Sequence, residues 1–435
     1  MGKKIPVVTV AEPAEAARLA GLPLEATVAM AEVAGAIKDG LLAFASATGL
    51  VVMRQMMEAE LSAMIGPKHA KIPHREGNWH GTTTGSVVLG GRKVTTDRPR
   101  GRSTDGQEIP LDTWAVFSCE DLLTQLVMER MLAGVSTRRH ADVAEPIGAE
   151  LESRSSSISR SAVSRRFRRA TEKALAELMA RDLSELDVAV VMIDGIQVAG
   201  SCLVAALVIT TDGMKIPVGL WLGDTENKSV VADLLGDLVA RGLSVDGGLL
   251  VVIDGSKALA TGVRKVFGEH ALVQRCTLHK RRNVAGYLSK ELAARIDTRL
   301  AHAFNHPDPA KGLARAKAIA AELEADHPDA AASLREGLQD MFTVRRLGVS
   351  GRLARSLTNT NCIESMISVA RTVIGNVKRW RDGSMKKRWV AAGVLEAERS
   401  FRRVKGCKEM PTLMAALGRH VRRDVTGPEY DEAAA

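Results

Sequence analysis

Val188-Ala189-Val190-Val191-Met192-Ile193-Asp194-Gly195 runs six apolar residues straight into a carboxylate and a glycine. Six residues is strand length, and the lack of polar alternation predicts a strand covered on both faces. Further along, the pattern recurs, with Leu249-Leu250-Val251-Val252-Ile253 ending in Asp254-Gly255. An ionised carboxylate directly after a buried strand is costly unless it is solvated, hydrogen-bonded or metal-bound. One Asp-Gly would merely make a turn. Two such ends on neighbouring strands nominate Asp194 and Asp254 as metal ligands, since strand ends of α/β sheets collect active sites. Their oxygens suit Mg²⁺ or Mn²⁺, and two aspartates leave such a site one or two ligands short.

Between the two aspartates, Ser201–Thr210 and Lys215–Leu222 read as strands joined by Thr211-Asp212-Gly213, giving a meander. Glu226–Ala240 follows as an amphipathic helix. After Asp254 come a helix from Lys257 to Gly268 and a short strand at Ala271–Gln274. Three strands, helix, strand, helix, strand is the order expected of a ribonuclease-H-like α/β core with a mixed sheet.

A third acid comes from Thr358-Asn359-Thr360-Asn361-Cys362-Ile363-Glu364-Ser365-Met366, the start of a helix expected to reach Val377 with Asn359 or Asn361 as its cap. Glu364 then lies in the first turn, with Ser368 and Arg371 on its face. Glu396 and Glu398 are rivals, but they sit between basic residues on a later helix and read as surface charges. The stretch from Asp254 to Glu364 is too long for a bare core, and helix-rich Arg282–Arg346 reads as an α-helical insertion.

Upstream, Glu120 to Asp182 reads as three helices: Glu120–Leu132, a second from Ser136 to about Leu151, and a third over Ser159–Met179. In the third, Val163, Phe167 and Ala170 form the buried stripe, leaving Arg160, Ser161, Ser164, Arg165, Arg168 and Arg169 on the other faces. A helix-turn-helix unit needs such an apolar back with Ser and Arg turned to phosphates and base edges. A three-helix linker is the plain alternative. Further upstream, residues 14–65 read as helices through Val28–Leu42 and Met53–Ile65, and Asn78–Leu111 as a small β-hairpin element. The tail after Gly427 reads as frayed.

The 435 residues allow two to four domains, and a 46% hydrophobic content excludes wholesale disorder. No apolar run approaches the ~18–20 residues of a membrane span. Glu12 and Glu15 interrupt the apolar run behind Lys3 and Lys4 too early for a signal peptide, so a soluble, cytoplasmic chain is expected. Five scattered cysteines argue against a disulfide framework. The net charge of +9 is modest but clustered. Seven basic residues lie between Ser153 and Lys173, six between Lys378 and Arg388, and smaller groups at Arg92–Arg102 and Arg275–Arg282. Any one of these is equally well a solvated helix face; four together predict several contacts on one extended polyanion.

The chain resembles transposases of the bacterial mutator-type insertion-sequence family, which are DDE enzymes. The matching strings span Met131 to about Arg399 and include Leu132-Ala133-Gly134-Val135-Ser136-Thr137-Arg138, Gly219-Leu220-Trp221-Leu222-Gly223-Asp224-Thr225-Glu226-Asn227 and Asp254-Gly255-Ser256-Lys257-Ala258-Leu259. Gln274-Arg275-Cys276-Thr277-Leu278-His279-Lys280-Arg281-Arg282-Asn283 and Thr360-Asn361-Cys362-Ile363-Glu364-Ser365 complete the set. The resemblance implies that Asp194, Asp254 and Glu364 are the catalytic triad, with a helical insertion before the Glu. It also implies recognition of terminal inverted repeats in double-stranded DNA and a homodimer. Two Mg²⁺ (or Mn²⁺) ions held by the three acids would serve both cleavage and strand transfer into target DNA. Arg371, Lys378, Arg379 and Arg381, with Arg275–Arg282, are expected to hold the phosphate backbone. Gly195-Ile196-Gln197 departs from the aromatic-containing string common in the family, and the chain up to Pro110 matches weakly. The resemblance marks Cys276-x-x-His279 as a recurring motif near the active site. As a zinc site it has only two ligands, so it reads as structural or DNA-positioning.

The expected organisation is an N-terminal helical region with a β-hairpin over 1–118, a helix-turn-helix-like region over 119–182, and core segments at 183–281 and 347–400. The insertion at 282–346 lies between the core segments, and a C-terminal helix and tail occupy 401–435. Two other readings stay open: a ribonuclease-H-like nuclease or resolvase that cuts without joining, and a transposase-derived DNA-binding regulator. The chain has neither a Walker-type loop nor a nucleophile elbow, which argues against a nucleotide-driven enzyme and an α/β hydrolase.

Overall fold

Gly90-Gly91, with φ of 54° and 74°, makes the two-residue turn that joins the first pair of strands, a conformation only glycine adopts without strain. The computed structural model describes residues 40–223 and 228–426, and the chain divides into two compact units, Met1–Ala170 and Thr171–Ala435. In the first, helix α1 (Leu41–Ile65) packs Met53, Met57, Leu61 and Ile65 against the antiparallel hairpin β1 (Gly77–Leu89) and β2 (Arg92–Ser103). Short helices α2 (Asp112–Ser118), α3 (Asp121–Leu132) and α4 (Ala149–Ser153) follow, then the two-residue strand β3 (Ser155–Ser156), which pairs with β2. Helix α5 (Arg160–Met179) buries Val163 and Phe167 as expected. The expected helix over Val28–Leu42 lies almost wholly outside the described residues, as do Glu226 and the tail after Gly427.

The second of the three helices expected between Glu120 and Asp182 does not form. Residues 137–144 make successive turns, and only Ala149–Ser153 is helical. Ser136 Oγ accepts from Arg139 N at 3.3 Å, a capping contact, but the chain then turns instead of coiling into a helix. Pro146 lacks an amide donor and pushes Glu145 out of helical geometry, and Gly148 sits at φ 91°. Helix propensity upstream is not enough to cross those two residues.

The second unit is built on a five-stranded mixed sheet ordered β6-β5-β4-β7-β8. Strands β4 (Val188–Val198), β5 (Ser201–Thr210) and β6 (Lys215–Gly223) form an antiparallel meander. After helix α6 (Lys228–Ala240), β7 (Leu249–Ile253) joins β4 in parallel; after helix α7 (Lys257–Phe267), β8 (Ala271–Arg275) joins β7 in parallel. On one face α6 and α7 cover the sheet, burying Leu234, Leu238, Leu259 and Val263 against Val191, Ile193, Val204 and Val251. Helices α8 (Thr277–Ala285), α9 (Lys290–Phe304), α10 (Pro309–Leu323), α11 (Pro328–Arg335) and α12 (Thr343–Arg346) then form a helical body with its own core around Leu300, Phe304, Ala316 and Phe342. The chain returns through α13 (Gly351–Leu357), α14 (Asn361–Ile374) and α15 (Gly383–Arg399) to α16 (Met410–Thr426). Helix α14 packs on β4 and α15 on β6, which is why β4 reads as an uninterrupted apolar run. Among the described residues no helix is long and apolar enough to cross a membrane.

Candidate active site

Parallel pairing sets Ile193 of β4 opposite Ile253 of β7, so Asp194 and Asp254 leave adjacent strands at the same level. Neighbouring strands lie roughly 4.8 Å apart. The expectation that Asp194 ends its strand is corrected. β4 continues to Val198, because Asp194 still pairs with Ala205 of β5 and the hairpin closes at Ala199-Gly200 with positive φ. It is β7 that stops, and Asp194 faces the space beyond its end. Asp194 Oδ1 accepts from Gly195 N, and Asp254 Oδ1 from Ser256 N, both at 2.8 Å.

β8 ends level with β7, Arg275 opposite Ile253, and Ile253 O accepts from Cys276 N at 2.8 Å, so Cys276 stands beside the same opening. Thr277 ties this corner to the third segment, since its N and Oγ1 both donate to Thr358 O at 3.0 Å. That contact delivers the start of α14 to the strand ends. Glu364 occupies its first turn, and the helix ends at Ile374 rather than Val377. Asn359, not Asn361, serves the helix start: its Oδ1 accepts from Asn361 N at 3.0 Å.

Thr360, which sequence patterning misses, is wholly buried and donates its hydroxyl to Glu364 Oε1. The same hydroxyl oxygen lies 3.4 Å from both Cys276 Sγ and His279 Nδ1. His279 Nδ1 is 3.8 Å from Glu364 Oε1, and ligand atoms of Cys276, His279 and Glu364 all fall within 4.8 Å of one another. Glu364, far along the chain beyond the helical body, thus places a third side chain of ligand type beside Cys276-x-x-His279, which sequence spacing does not show. A Cys, His, Glu set suits zinc, whereas Asp194, Asp254 and Glu364 offer oxygen only.

Electrostatically these groups act on one another. Burial lifts the Asp194 carboxyl to about 6, the Asp254 and Glu364 charges add to the rise, and the Gly195 N–H and His279 oppose it. His279 rises to about 9, chiefly through its hydrogen bond to Cys276, with Glu364 and Asp254 contributing and burial opposing. The Cys276 thiol is lowered: burial pushes it up, but hydrogen bonds from His279 and Thr360 outweigh that. Asp194 thus feels the negative charge of both Asp254 and Glu364, a repulsion that a cation would relieve. Among the described residues, however, these three acids do not form a set of ligand atoms within 4.8 Å of one another as Cys276, His279 and Glu364 do.

The expected basic contacts fare unevenly. Arg160, Arg165, Arg168 and Arg169 are exposed on α5; Arg371 is exposed on α14, and Lys378, Arg379 and Arg381 on the loop after it. Arg275 and Lys280 are corrected: both are buried, ion-paired with Glu336, and Arg275 also meets Asp340. Burial lowers Lys280, with Glu336 opposing. Arg281 pairs with Asp297. In the N-terminal unit Arg92 is buried against Glu152, while Arg98 and Arg100 pair with Glu108.

Residues 24–400 match the profile of the Mutator family of transposases, which covers most of the chain. The chain belongs to that family. Among curated relatives of this Mutator-family chain, a transposase for insertion sequence element IS6120 of Mycolicibacterium smegmatis is 30% identical over 198 residues, 44% of this chain and 60% of the relative. A Corynebacterium diphtheriae protein named "Probable transposase for insertion sequence element" is 27% identical over 218 residues, 49% of this chain and 62% of that relative. The chain thus spans about three-fifths of the length of these relatives.

Proposed function

We propose that this protein is the DDE transposase of an insertion sequence, cutting and joining DNA at its element's ends with Asp194, Asp254 and Glu364. What supports the reading is that Asp194 and Asp254 leave adjacent strands at one level and that Asp254 and Glu364, from segments widely separated in the chain, both act electrostatically on Asp194. The sheet order, with three antiparallel strands followed by two parallel ones, supports a ribonuclease-H-like core.

The donor set fits divalent metal: three oxygen-bearing side chains, one lifted to about 6 by burial and by the other two. Two Mg²⁺ or Mn²⁺ ions bound there would activate a water or a 3′-hydroxyl for in-line attack and stabilise the leaving oxygen. The chain's own part is positional. Asp194 and Asp254 hold from the strands and Glu364 closes from the helix. Thr360 fixes the Glu364 carboxylate by its hydrogen bond. His279, protonated below about 9, sets one positive charge beside the acids, in the range a phosphate would occupy. Cys276 keeps that imidazole charged and in place, a positioning role.

The exposed Arg160, Arg165, Arg168 and Arg169, with Arg371, Lys378, Arg379 and Arg381, supply phosphate contacts to terminal inverted repeats and target DNA. A homodimer working in the nucleoid would bring two ends together. The test is Mg²⁺-dependent cleavage, and transfer of a pre-cut 3′ end, on a duplex carrying the element's terminal sequence. The wild-type chain should do both, and Asp254→Ala neither. Full activity in Asp254→Ala removes the triad; cleavage without transfer leaves a nuclease.

A further inference from the structure

Beside Glu364, within the unit from Thr171 onward, lies a cleft of about 800 Å³ lined by six cations: Lys215, Arg352, Arg355, Arg402, Arg403 and Lys405. They come from the start of β6, from α13 and from the segment after α15, none of which the charge clustering of the sequence picks out. All but Lys215 are exposed. Among the described residues, Arg403 is the one member of the six in an ion pair, with Asp212 at 3.0 Å. Lys215 lies 4.8 Å from the centre of the Phe401 ring. This contrasts with Arg275 and Lys280, whose charge is met internally by Glu336.

The remaining lining is mostly uncharged and polar, with Asn361 and Ser365 of α14 among it. These two bracket Glu364 on its own helix, and at 1.5 Å of rise per residue they stand within about 5 Å of it along the axis. Among the described residues no aromatic ring lines the cleft, so it lacks the aromatic platform on which single-strand binders stack successive bases. Guanidinium forks with amide and hydroxyl neighbours are the donors that match phosphate and sugar oxygens.

We propose that this cleft is a sequence-independent binding site for a DNA sugar–phosphate backbone, gripping the strand next to the phosphate presented to Glu364. That the polyanion is DNA rests on the function proposed above. The cleft reads no bases. Its work is to hold register close to the reacting bond, while exposed cations elsewhere carry the rest of the contact.

The experiment uses the full chain and a triple variant, Arg352→Ala/Arg355→Ala/Arg402→Ala, with the matching triple Arg→Lys as a charge-retaining control. All three arginines are exposed, so the thermal midpoint should stay near wild type. Affinity is measured across a salt series for two duplexes of equal length, one with the element's terminal sequence and one of random sequence. Each lost phosphate contact lowers the slope of log affinity against log salt by about 0.9, so the alanine triple should lose about 2–3 in slope. The loss should be equal for both duplexes, and the lysine triple should regain most of it. An unchanged slope overturns the proposal, as does a loss confined to the terminal sequence, which would make the cleft a base reader. The two readings separate cleanly. If the wild-type chain binds DNA with a slope the triple lowers, yet never cleaves with Mg²⁺, the function falls and the cleft stands. If it cleaves and the triple keeps its slope, the cleft falls and the function stands. A chain that binds neither duplex overturns both.

Discussion

Asp194 is the residue on which metal chemistry and pH meet. Its carboxyl is lifted from the ordinary carboxylate range to about 6, first by burial. The folded state therefore holds a proton that the unfolded chain has released between about pH 4 and pH 6. Stability of the metal-free protein falls as pH rises through that window and is flat above it. A divalent ion needs the carboxylate, so its stabilising effect runs the other way. The Mg²⁺-induced rise in melting temperature should be full above pH 7, and apparent affinity should drop about tenfold per unit below pH 6. A thermal-shift series at pH 5, 6, 7 and 8 checks this, and a shift that does not vary with pH rules it out. Thr360 offers a second test at this scale. Thr360→Val keeps the shape but removes the donor to Glu364 Oε1. Loss of such a supporting hydrogen bond commonly costs about 10–100-fold in metal affinity. Mn²⁺ titration should show that loss with the melting temperature of the metal-free protein little changed; an unaltered affinity would mean that Thr360 does not orient Glu364.

Among the elements, one tie between sheet and helical body that sequence patterning misses is Gln274. It is wholly buried at the end of β8, donates through Nε2 to Met341 O at 3.0 Å and accepts through Oε1 from Val344 N at 2.9 Å. Thr343 Oγ1 completes the seam by donating to Val273 O at 2.7 Å. Gln274→Leu keeps the volume but strands a buried N–H and a buried carbonyl. Each such orphan costs about 1–3 kcal/mol, so a urea midpoint shift worth at least about 2 kcal/mol is expected. A loss below about 0.5 kcal/mol would show that water or a shifted backbone satisfies both groups. Elements also differ in how plainly a sequence declares them. β4 and β7 are legible because each carries an unbroken apolar run ahead of Asp-Gly, and burial on both faces leaves no other use for such a run, although β4 goes on past its aspartate to Val198. The helix expected from Ser136 fails because a good cap and helix formers precede Pro146 and Gly148, and the two breakers decide. Strand β3 is two serines that pair only because β2 is already there. The third partner of Cys276 and His279 is illegible because Glu364 reaches them through Thr277 and Thr358, a tertiary contact with no local signature.

Across the whole molecule the question is which of its basic residues can turn to a polyanion. Net charge gives no answer, because ion pairing inside the fold removes cations selectively. Arg98 and Arg100 share Glu108, and Lys93 and Arg166 share Glu120. Sequence clustering treats those arginines as equal to Lys378, Arg379 and Arg381, which stand exposed on the loop after α14. Folding separates them, since a cation already facing a carboxylate gains little from a phosphate and loses a partner by turning to it. Two alanine variants of the full chain put this to the test. Lys378→Ala/Arg379→Ala/Arg381→Ala should lower the salt slope of DNA affinity by about 2–3, because each removes one phosphate contact and its released counterion. Arg98→Ala/Arg100→Ala should leave the slope where it was, though it removes nearly as much formal charge. Equal losses in the two variants would mean that DNA binding follows total charge, and that the placement of exposed cations near the Glu364 helix has no part in it.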